Sequence, residues 1–304
     1  MEPFRVHILG CGSALPTLKH FPSMQVVECR GKLFMVDCGE GAQLQLRRSG
    51  LSFQKLGHVF ISHLHGDHCF GLIGMISTFG LLGRTSTLHI YAPEALENML
   101  FSQIAMYCYD LSYQVEFHAV DTTRHQVIFE DRSLQVESIP LEHRMPTCGF
   151  LFREKPSLPH IRREMIDFYG IPVSQINNIK AGADWTTADG DVVPNERLTT
   201  PADPPRAYAY CSDTRYMPEL YKHLKGVNTL YHESTYANDN QLMAAKYCHS
   251  TAEQAATVAR DACVGQLLLG HFSSRYNDED LLLQEARNVF SNTRLTREMD
   301  VIDV

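Results

Sequence analysis

Short apolar runs separated by polar turns recur along the chain, and their spacing predicts strands and helices in succession. Residues 24–29 and 32–37 alternate in the manner of a hairpin, with Arg30-Gly31 as its turn. The other predicted strands cover residues 4–9, 59–61, 88–91, 115–119, 126–129, 134–140, 207–211, 227–231 and 266–270. The predicted helices cover residues 42–48, 69–82, 93–109, 252–262 and 278–290. Strands, then helices, then strands again indicate an α/β fold of layered sheets with helices outside.

Residues 156–205 depart from this pattern. They hold seven of the 14 prolines and the only tryptophan, Trp185. A segment of this length without periodicity is typical of a functional loop or a protruding arm. A disordered insertion is the alternative for its central part. We expect a single domain over residues 1–304, with residues 156–205 as an arm within it.

Composition narrows the class of protein. The 304 residues are 44% hydrophobic and 20% charged, which is ordinary for a soluble globular protein. The first ten residues lack the regions of a secretory signal, and the longest apolar stretch, residues 70–83, is too short to span a bilayer. Nine cysteines without a Cys-x-x-Cys pair suit free thiols in a reducing compartment. We expect a cytoplasmic protein with no membrane partner.

The formal net charge of −8 argues against a broadly basic protein that binds nucleic acid through its whole surface. Carboxylates gathered at a metal site would account for part of this charge. The net charge therefore does not decide the substrate.

A histidine-rich loop, Ser62-His63-Leu64-His65-Gly66-Asp67-His68, follows the predicted strand 59–61. Alternate side chains of an extended segment point the same way, so His63 and His65 can converge on one metal ion. Gly66 allows a sharp turn, after which Asp67 and His68 can face a second ion. Fifteen histidines make a pair unremarkable, but this spacing at a strand end predicts a metal site.

Three more strands end close to a residue that can bind metal: His143, Asp213 and His271. With the four from the loop, they make seven candidate ligands, enough for two ions that share a carboxylate. His and Asp without cysteine suit Zn²⁺ or Mn²⁺. Two such ions activate water and clamp a phosphate or carbonyl oxygen, so the pattern predicts a hydrolase. Asp37 is expected to hydrogen-bond the histidine loop from behind rather than to bind metal.

The motif HxHxDH followed by single His, Asp and His ligands resembles the metallo-β-lactamase superfamily. The fuller set is similar to the ribonuclease Z family, the short form of the tRNA 3′-processing endonuclease, from Gly10 through Arg275. The motifs that carry this resemblance are DCGEG (37–41), SHLHGDH (62–68), SDT (212–214), HEST (232–235), HST (249–251) and GHFSSRY (270–276). The resemblance implies a metallo-β-lactamase αββα sandwich with a protruding arm.

The resemblance also implies roles for individual residues. Two Zn²⁺ per subunit are implied, with Mn²⁺ as an alternative. The ligands of one ion would be His63, His65 and His143, those of the other Asp67, His68 and His271, and Asp213 would bridge them. Asp67 also matches the family's proton acceptor.

Outside this ligand set, Glu233 and His249 match a pair that would protonate the departing 3′ oxygen, because a carboxylate raises the basicity of the imidazole it contacts. The alternative is that the pair only braces the loops. Arg275 resembles a residue that contacts substrate, since a guanidinium suits phosphate. Its alternative is a surface salt bridge.

The implied activity is a zinc-dependent endoribonuclease that removes 3′ trailers from precursor tRNA. It leaves a 3′-hydroxyl on the tRNA and a 5′-phosphate on the trailer. The family implies a homodimer in which the arm of one subunit serves the site of the other. The arm departs from the family pattern, because it lacks a Gly-Pro pair after Gly170-Ile171-Pro172 and carries four basic against seven acidic residues. Phosphate contacts through this arm are therefore in question.

Two other functions stay open at this point. One is a phosphodiesterase or arylsulfatase of the same superfamily that acts on small esters. The other is a non-catalytic RNA-binding protein that keeps zinc as a structural element. The HEST and HST motifs favour the tRNA endonuclease over the first, and the intact set of ligands and proton-transfer groups argues against the second.

Overall fold

The structure is a computed structural model, and it describes residues 2–304. Its strands, numbered along the chain, are β1 (Phe4–Gly10), β2 (Met24–Cys29), β3 (Lys32–Val36), β4 (Leu56–Phe60), β5 (Leu88–Ala92), β6 (Val115–Ala119), β7 (Gln126–Glu130), β8 (Leu134–Pro140), β9 (Cys148–Glu154), β10 (His160–Ile161), β11 (Trp185–Thr186), β12 (Val192–Val193), β13 (Thr199–Thr200), β14 (Ala207–Cys211), β15 (Thr229–Glu233), β16 (Gln266–Gly270), β17 (Thr293–Leu295) and β18 (Val301–Asp303).

The helices are α1 (Ala42–Arg48), α2 (Gly66–Cys69), α3 (Leu72–Leu81), α4 (Glu97–Tyr107), α5 (Arg163–Phe168), α6 (Val173–Lys180), α7 (Asn195–Leu198), α8 (Tyr221–Leu224), α9 (Gln241–Tyr247), α10 (Ala252–Asp261) and α11 (Asp280–Arg287). Among residues 2–304, none of them is both long enough and apolar enough to cross a membrane. The nine cysteines are free thiols, as the sequence predicted.

Two seven-stranded sheets form the larger of two compact units, which comprises residues 2–153 and 206–304. The strand order is β18-β1-β2-β3-β4-β5-β6 in the first sheet and β17-β16-β15-β14-β9-β8-β7 in the second. Strands β3 to β6 are parallel, and so are β14 to β17. The carboxyl ends of parallel strands meet at one edge of a sheet, where ligands commonly bind.

The apolar alternation along β3 explains the layering. Leu33 and Met35 belong to a core shared with α1, α3 and α4, whereas Phe34 and Val36 belong to a core shared with the second sheet. Successive side chains of a strand point to opposite faces, so the first sheet is buried on both. Helices α10 and α11 pack against the second sheet. The layers are therefore helix, sheet, sheet, helix.

Two predicted elements differ from the structure near the histidine loop and the HEST motif. The single helix predicted over 69–82 is divided into α2 and α3, because the amide of Gly71 donates to the carbonyl of Cys38 (2.8 Å). The strand predicted over 227–231 is Thr229–Glu233, so His232 and Glu233 lie inside its end. The sequence pattern also missed β9, β17, β18, α8 and α9.

Residues 154–205 form the second compact unit. It contains α5 to α7, the strand pairs β10–β13 and β11–β12, and a buried apolar cluster of Ile171, Ile179, Val193 and Leu198. The sequence predicted no regular element here, because these elements are only two to eight residues long and are separated by prolines.

Candidate metal centre

The ends of strands from both sheets supply the candidate ligands. The histidine loop follows β4 in the first sheet. His143 follows β8, Asp213 follows β14 and His271 follows β16, all in the second sheet. The structure brings all seven predicted ligands together in two adjoining clusters.

The first cluster is His63, His65, His143 and Asp213, and one candidate atom from each lies within 4.8 Å of all the others. The Nε2 atom of His63 is 3.0 Å from Nδ1 of His65. Ligands that bind one Zn²⁺ tetrahedrally at about 2.0–2.1 Å lie about 3.3 Å apart. The spacing therefore fits one divalent cation.

The second cluster is Asp67, His68 and His271. The carboxylate Oδ2 of Asp67 lies 3.3 Å from Nε2 of His68 and 3.6 Å from Nε2 of His271. These separations also match the spacing of ligands around one ion.

Asp213 lies between the two clusters and presents one carboxylate oxygen to each. Its Oδ2 atom is 3.7 Å from Nε2 of both His63 and His143. Its Oδ1 atom is 3.3 Å from Nε2 of His68 and 3.0 Å from Nε2 of His271. A carboxylate in this position could bind one ion in each cluster.

Four of the candidate ligand atoms are buried without a hydrogen-bond partner among the described residues: Nε2 of His68, His143 and His271, and Oδ2 of Asp67. Buried polar atoms are otherwise almost always paired, so a group of four calls for an explanation. Cations held between them would satisfy all four. The donor set of the centre thus fits a pair of divalent metal ions.

Hydrogen bonds at the opposite ring nitrogen orient these imidazoles. The hydroxyl of Ser62 donates to Asp37 and so accepts from Nδ1 of His63 (3.0 Å). The hydroxyl of Thr235 donates to Glu233 and so accepts from Nδ1 of His271 (2.9 Å). In each ring the Nε2 lone pair is left to face the cluster, as a metal-binding histidine requires.

His143 and His68 are oriented by a carbonyl and a carboxylate. Nδ1 of His143 donates to the carbonyl oxygen of Cys248 (2.9 Å), and Nδ1 of His68 donates to Asp37 (2.6 Å). Asp37 is fully buried and also accepts from the hydroxyl of Tyr210 (2.7 Å). The prediction that Asp37 supports the loop from behind is confirmed.

The electrostatics of the centre suit cations. Burial alone would raise the pKa of Asp67. The neighbouring His68 and His271 lower it by more, so the carboxyl pKa lies well below its usual range. Burial lowers the pKa of His63 and of His143, which favours the neutral imidazole that binds metal.

The buried Glu233 and the partly buried His249 form a pair beside the candidate ligands. Oε1 of Glu233 accepts from Nδ1 of His249 (2.8 Å) and from the amide of Thr214 (2.8 Å). Burial lowers the pKa of His249, but the Glu233 carboxylate raises it more, to about 9. The ring of His249 also stacks on that of His271, with centroids 5.4 Å apart. This shift favours the protonated form of His249 next to the candidate metal ligands.

Arg275 is exposed on the loop that follows His271. Sequence reasoning missed two further arginines, Arg144 and Arg215, which border a cleft of about 600 Å³ lined also by His143. Both could have been found from the sequence, because Arg144 directly follows the predicted ligand His143 and Arg215 lies two residues after the predicted ligand Asp213.

Thr235 was quoted in the HEST motif without a role, yet it links Glu233 to His271. Its position two residues after Glu233 was a usable signal. The carbonyl of Cys248 had none, since a backbone acceptor leaves no trace in a sequence.

The sequence of this chain is similar to those of several known proteins. A family model described as Anti-Pycsar protein Apyc1 matches residues 4–158. The chain is 58% identical over 298 residues to Ribonuclease Z of Phocaeicola vulgatus, covering 98% of this chain and 96% of that one. It is 51% identical over 304 residues to Ribonuclease Z of Porphyromonas gingivalis, covering all of both chains.

Among solved structures, the human short form of tRNase Z matches with a TM-score of 0.70 at 24% identity, over 98% of each chain. The metallo-β-lactamase fold protein YhfI from Bacillus subtilis matches with a TM-score of 0.69 at 19% identity, over the whole of both chains. The predicted metallo-β-lactamase αββα sandwich is confirmed.

Proposed function

This chain belongs to the ribonuclease Z family, and from that premise we propose that it is a zinc-dependent endoribonuclease that removes 3′ trailers from precursor tRNA. The observation that carries the proposal is the meeting of seven ligands with the Glu233–His249 pair in one buried centre. The Apyc1 family model ends at residue 158, before Asp213, Glu233, His249 and His271. The full-length relatives therefore carry the assignment of substrate.

Two metal ions are proposed, zinc by ligand type and manganese as the alternative. His63, His65 and His143 would hold one, and Asp67, His68 and His271 the other, with Asp213 shared. Metal ions bound there lower the pKa of water and neutralise charge that develops on a phosphate.

Asp67 is proposed to accept the proton of the attacking water, besides binding metal. Its lowered pKa keeps the carboxylate ionised at neutral pH, as a proton acceptor must be. We expect Asp67→Ala to abolish cleavage.

His249 is proposed to donate a proton to the 3′ oxygen that leaves the tRNA body. Its raised pKa, about 9, keeps the imidazolium populated near neutral pH. Glu233 orients the ring and stabilises its charge. The products are a tRNA that ends in a 3′-hydroxyl and a trailer that begins with a 5′-phosphate.

Guanidinium groups on the exposed side of the centre are proposed to contact the phosphates of the substrate. Arg275 lies on the loop after His271, and Arg144 and Arg215 border the cleft beside His143. Such groups bind phosphate oxygens through paired hydrogen bonds.

Residues 156–205 are proposed to be an arm within a single domain and to contact tRNA. Four basic against seven acidic residues do not favour a grip on phosphates. The small apolar cluster of this unit gives it a fixed surface, so we propose contact through shape, as in the recognition of folded RNA.

A homodimer is proposed through helices α3 and α4. They expose Leu81, Met99, Met106 and Tyr107 on the larger unit, and exposed apolar groups on neighbouring helices are typical of an interface. The mass of the protein in solution tests this: a value of about 34 kDa, the mass of one chain, contradicts the dimer.

A cytoplasmic location is proposed on two grounds. Precursor tRNA is the proposed substrate, and nine free thiols suit a reducing compartment.

The experiment that tests the activity is cleavage of a 3′-extended precursor tRNA by zinc-loaded protein, with the cut mapped at nucleotide resolution. We expect a single cut after the discriminator base. An intact precursor, together with turnover of small phosphodiesters or aryl sulfates, would instead assign a small-ester hydrolase. Binding of the precursor without turnover of any of these substrates would assign a non-catalytic RNA-binding protein.

A further inference from the structure

A second group of side chains that could bind a metal ion lies outside the centre, where the chain leaves β1. Cys11 follows that strand, His20 ends the next loop, and Glu298 comes from the segment between β17 and β18. One candidate atom from each lies within 4.8 Å of the others. The thiol of Cys11 is fully buried.

The separations between these atoms match ligands around one ion. Sγ of Cys11 is 3.3 Å from Nδ1 of His20 and 3.6 Å from Oε1 of Glu298. The two carboxylate oxygens of Glu298 are 3.2 and 3.0 Å from the same Nδ1 atom. Each of the three residues thus presents a donor atom at the spacing that metal bonds of about 2.0–2.3 Å require.

The far side of the His20 ring supplies a second, independent observation. Its Nε2 atom is buried and forms no hydrogen bond within residues 2–304. The carboxylate oxygen Oε1 of Glu279 lies 3.4 Å away from it. Histidines that bind metal through one nitrogen commonly donate the other N–H to a carboxylate. Glu279 thus lies on the Nε2 side of the ring, while Nδ1 faces Cys11 and Glu298.

We propose that Cys11, His20 and Glu298 bind one further divalent cation. A thiolate, an imidazole and a carboxylate together favour Zn²⁺. Neither the ligands of the catalytic centre nor the tRNA substrate enters this proposal, so it stands apart from the proposed function.

The site has a structural role. The carbonyl of Cys11 accepts from the amide of Phe272 (2.9 Å), which directly follows the ligand His271. Glu298 also accepts from the amide of Phe21 (2.9 Å). A cation here ties the loop after β1 to the C-terminal segment, and through Phe272 it steadies the chain beside His271.

Cobalt substitution tests the proposal, because a thiolate ligand to Co²⁺ gives a charge-transfer band in the near ultraviolet that His and Asp ligands do not. The seven ligands of the catalytic centre include no cysteine, so such a band reports this site alone. Metal-free protein is titrated with Co²⁺ in wild type, in Cys11→Ser and in the matched control Cys263→Ser, whose cysteine is exposed and outside the cluster.

We expect the band in wild type and Cys263→Ser, its loss in Cys11→Ser, and one bound equivalent fewer in Cys11→Ser. No band in wild type, or a band that survives in Cys11→Ser, overturns the proposal and leaves a metal-free network of ion pairs. If Cys11→Ser does not fold, His20→Gln replaces it, with a shifted or lost band expected and an unchanged band contradictory. Failure here is distinct from failure of tRNA cleavage, which the precursor assay measures separately.

Discussion

Five imidazoles in or beside the candidate metal centre differ in the atom that their Nδ1 contacts. A hydroxyl or carbonyl partner, as for His63, His143 and His271, fixes the ring and leaves Nε2 as a ligand. His68 contacts a carboxylate, but its Nε2 atom faces Asp213 at 3.3 Å. His249 contacts Glu233 and carries the raised pKa. These contacts distinguish four of the candidate metal ligands from His249, the proposed proton donor.

Replacing the leaving oxygen tests this role of His249. In a precursor whose scissile 3′ oxygen is sulfur, the departing thiolate needs no proton. We expect His249→Ala to lose about 10²- to 10⁴-fold on the oxygen substrate and to approach the wild-type rate on the sulfur substrate. Single-turnover rates on both substrates measure this, and metal content is expected to match wild type.

Asp67→Ala is the matched contrast, because its loss precedes departure of the leaving group and should persist on both substrates. An equal deficit of His249→Ala on oxygen and sulfur would show that it is not the acid. Loss of metal from His249→Ala would make it a ligand.

At the scale of single residues, most of the candidate ligands could be predicted from the sequence, because motif spacing and positions at strand ends mark residues such as His63 and Asp213. The sequence also placed Asp37 correctly behind the loop. It did not predict that Tyr210 would donate to Asp37 or that the carbonyl of Cys248 would accept from His143. Tyr210 is distant along the chain from Asp37, and a carbonyl is common to every residue.

The elements around the histidine loop are held by close backbone contacts. The amide of Cys38 donates to the carbonyl of His68 (2.8 Å), and the amide of Gly71 donates back to Cys38 (2.8 Å). A Cβ atom on Gly71 would lie 2.1 Å from the carbonyl oxygen of Gly39. The close packing of Gly71 on residues 38 and 39 lies next to the hydrogen bond between Asp37 and His68. The start of α3 therefore helps to position the candidate ligand His68.

Gly71→Ala should therefore push the two loops apart. We expect a loss of about 1–3 kcal/mol in the free energy of unfolding, the usual cost of overpacking, and weaker metal binding. Gly57→Ala is the matched control, because nothing lies within 4 Å of its Cβ position and its backbone is not left-handed. Thermal melting and metal content of both variants measure the difference. Equal melting temperatures and metal contents in the two variants would contradict this account.

The same contact explains why one predicted helix is two. Apolar periodicity over 69–82 does not reveal that Gly71 must meet the backbone of residues 38 and 39. The strands and helices of residues 154–205, which are two to eight residues long, were also not predicted, since periodicity needs a longer window.

At the scale of the whole molecule, the centre forms only where the two sheets pack together. The first sheet supplies the histidine loop, and the second supplies His143, Asp213 and His271. Alternation along the strands was enough to predict layered sheets, because it marks which faces are buried. Which strands pair, and in what order, depends on contacts between distant segments and was not predicted.

Asp213 lies between the two ligand clusters and presents a carboxylate oxygen to each. Its removal therefore tests the central claim that the two clusters form one metal-dependent site for cleavage of tRNA. Metal-free wild type and Asp213→Ala are titrated with Zn²⁺ while cleavage of a 3′-extended precursor tRNA is followed, with circular dichroism confirming the fold of both. We predict that wild type gains cleavage at the trailer junction as zinc is added, and that folded Asp213→Ala stays at background. Full cleavage by metal-free protein or by Asp213→Ala, or an uncut precursor with zinc-loaded wild type, would contradict the account.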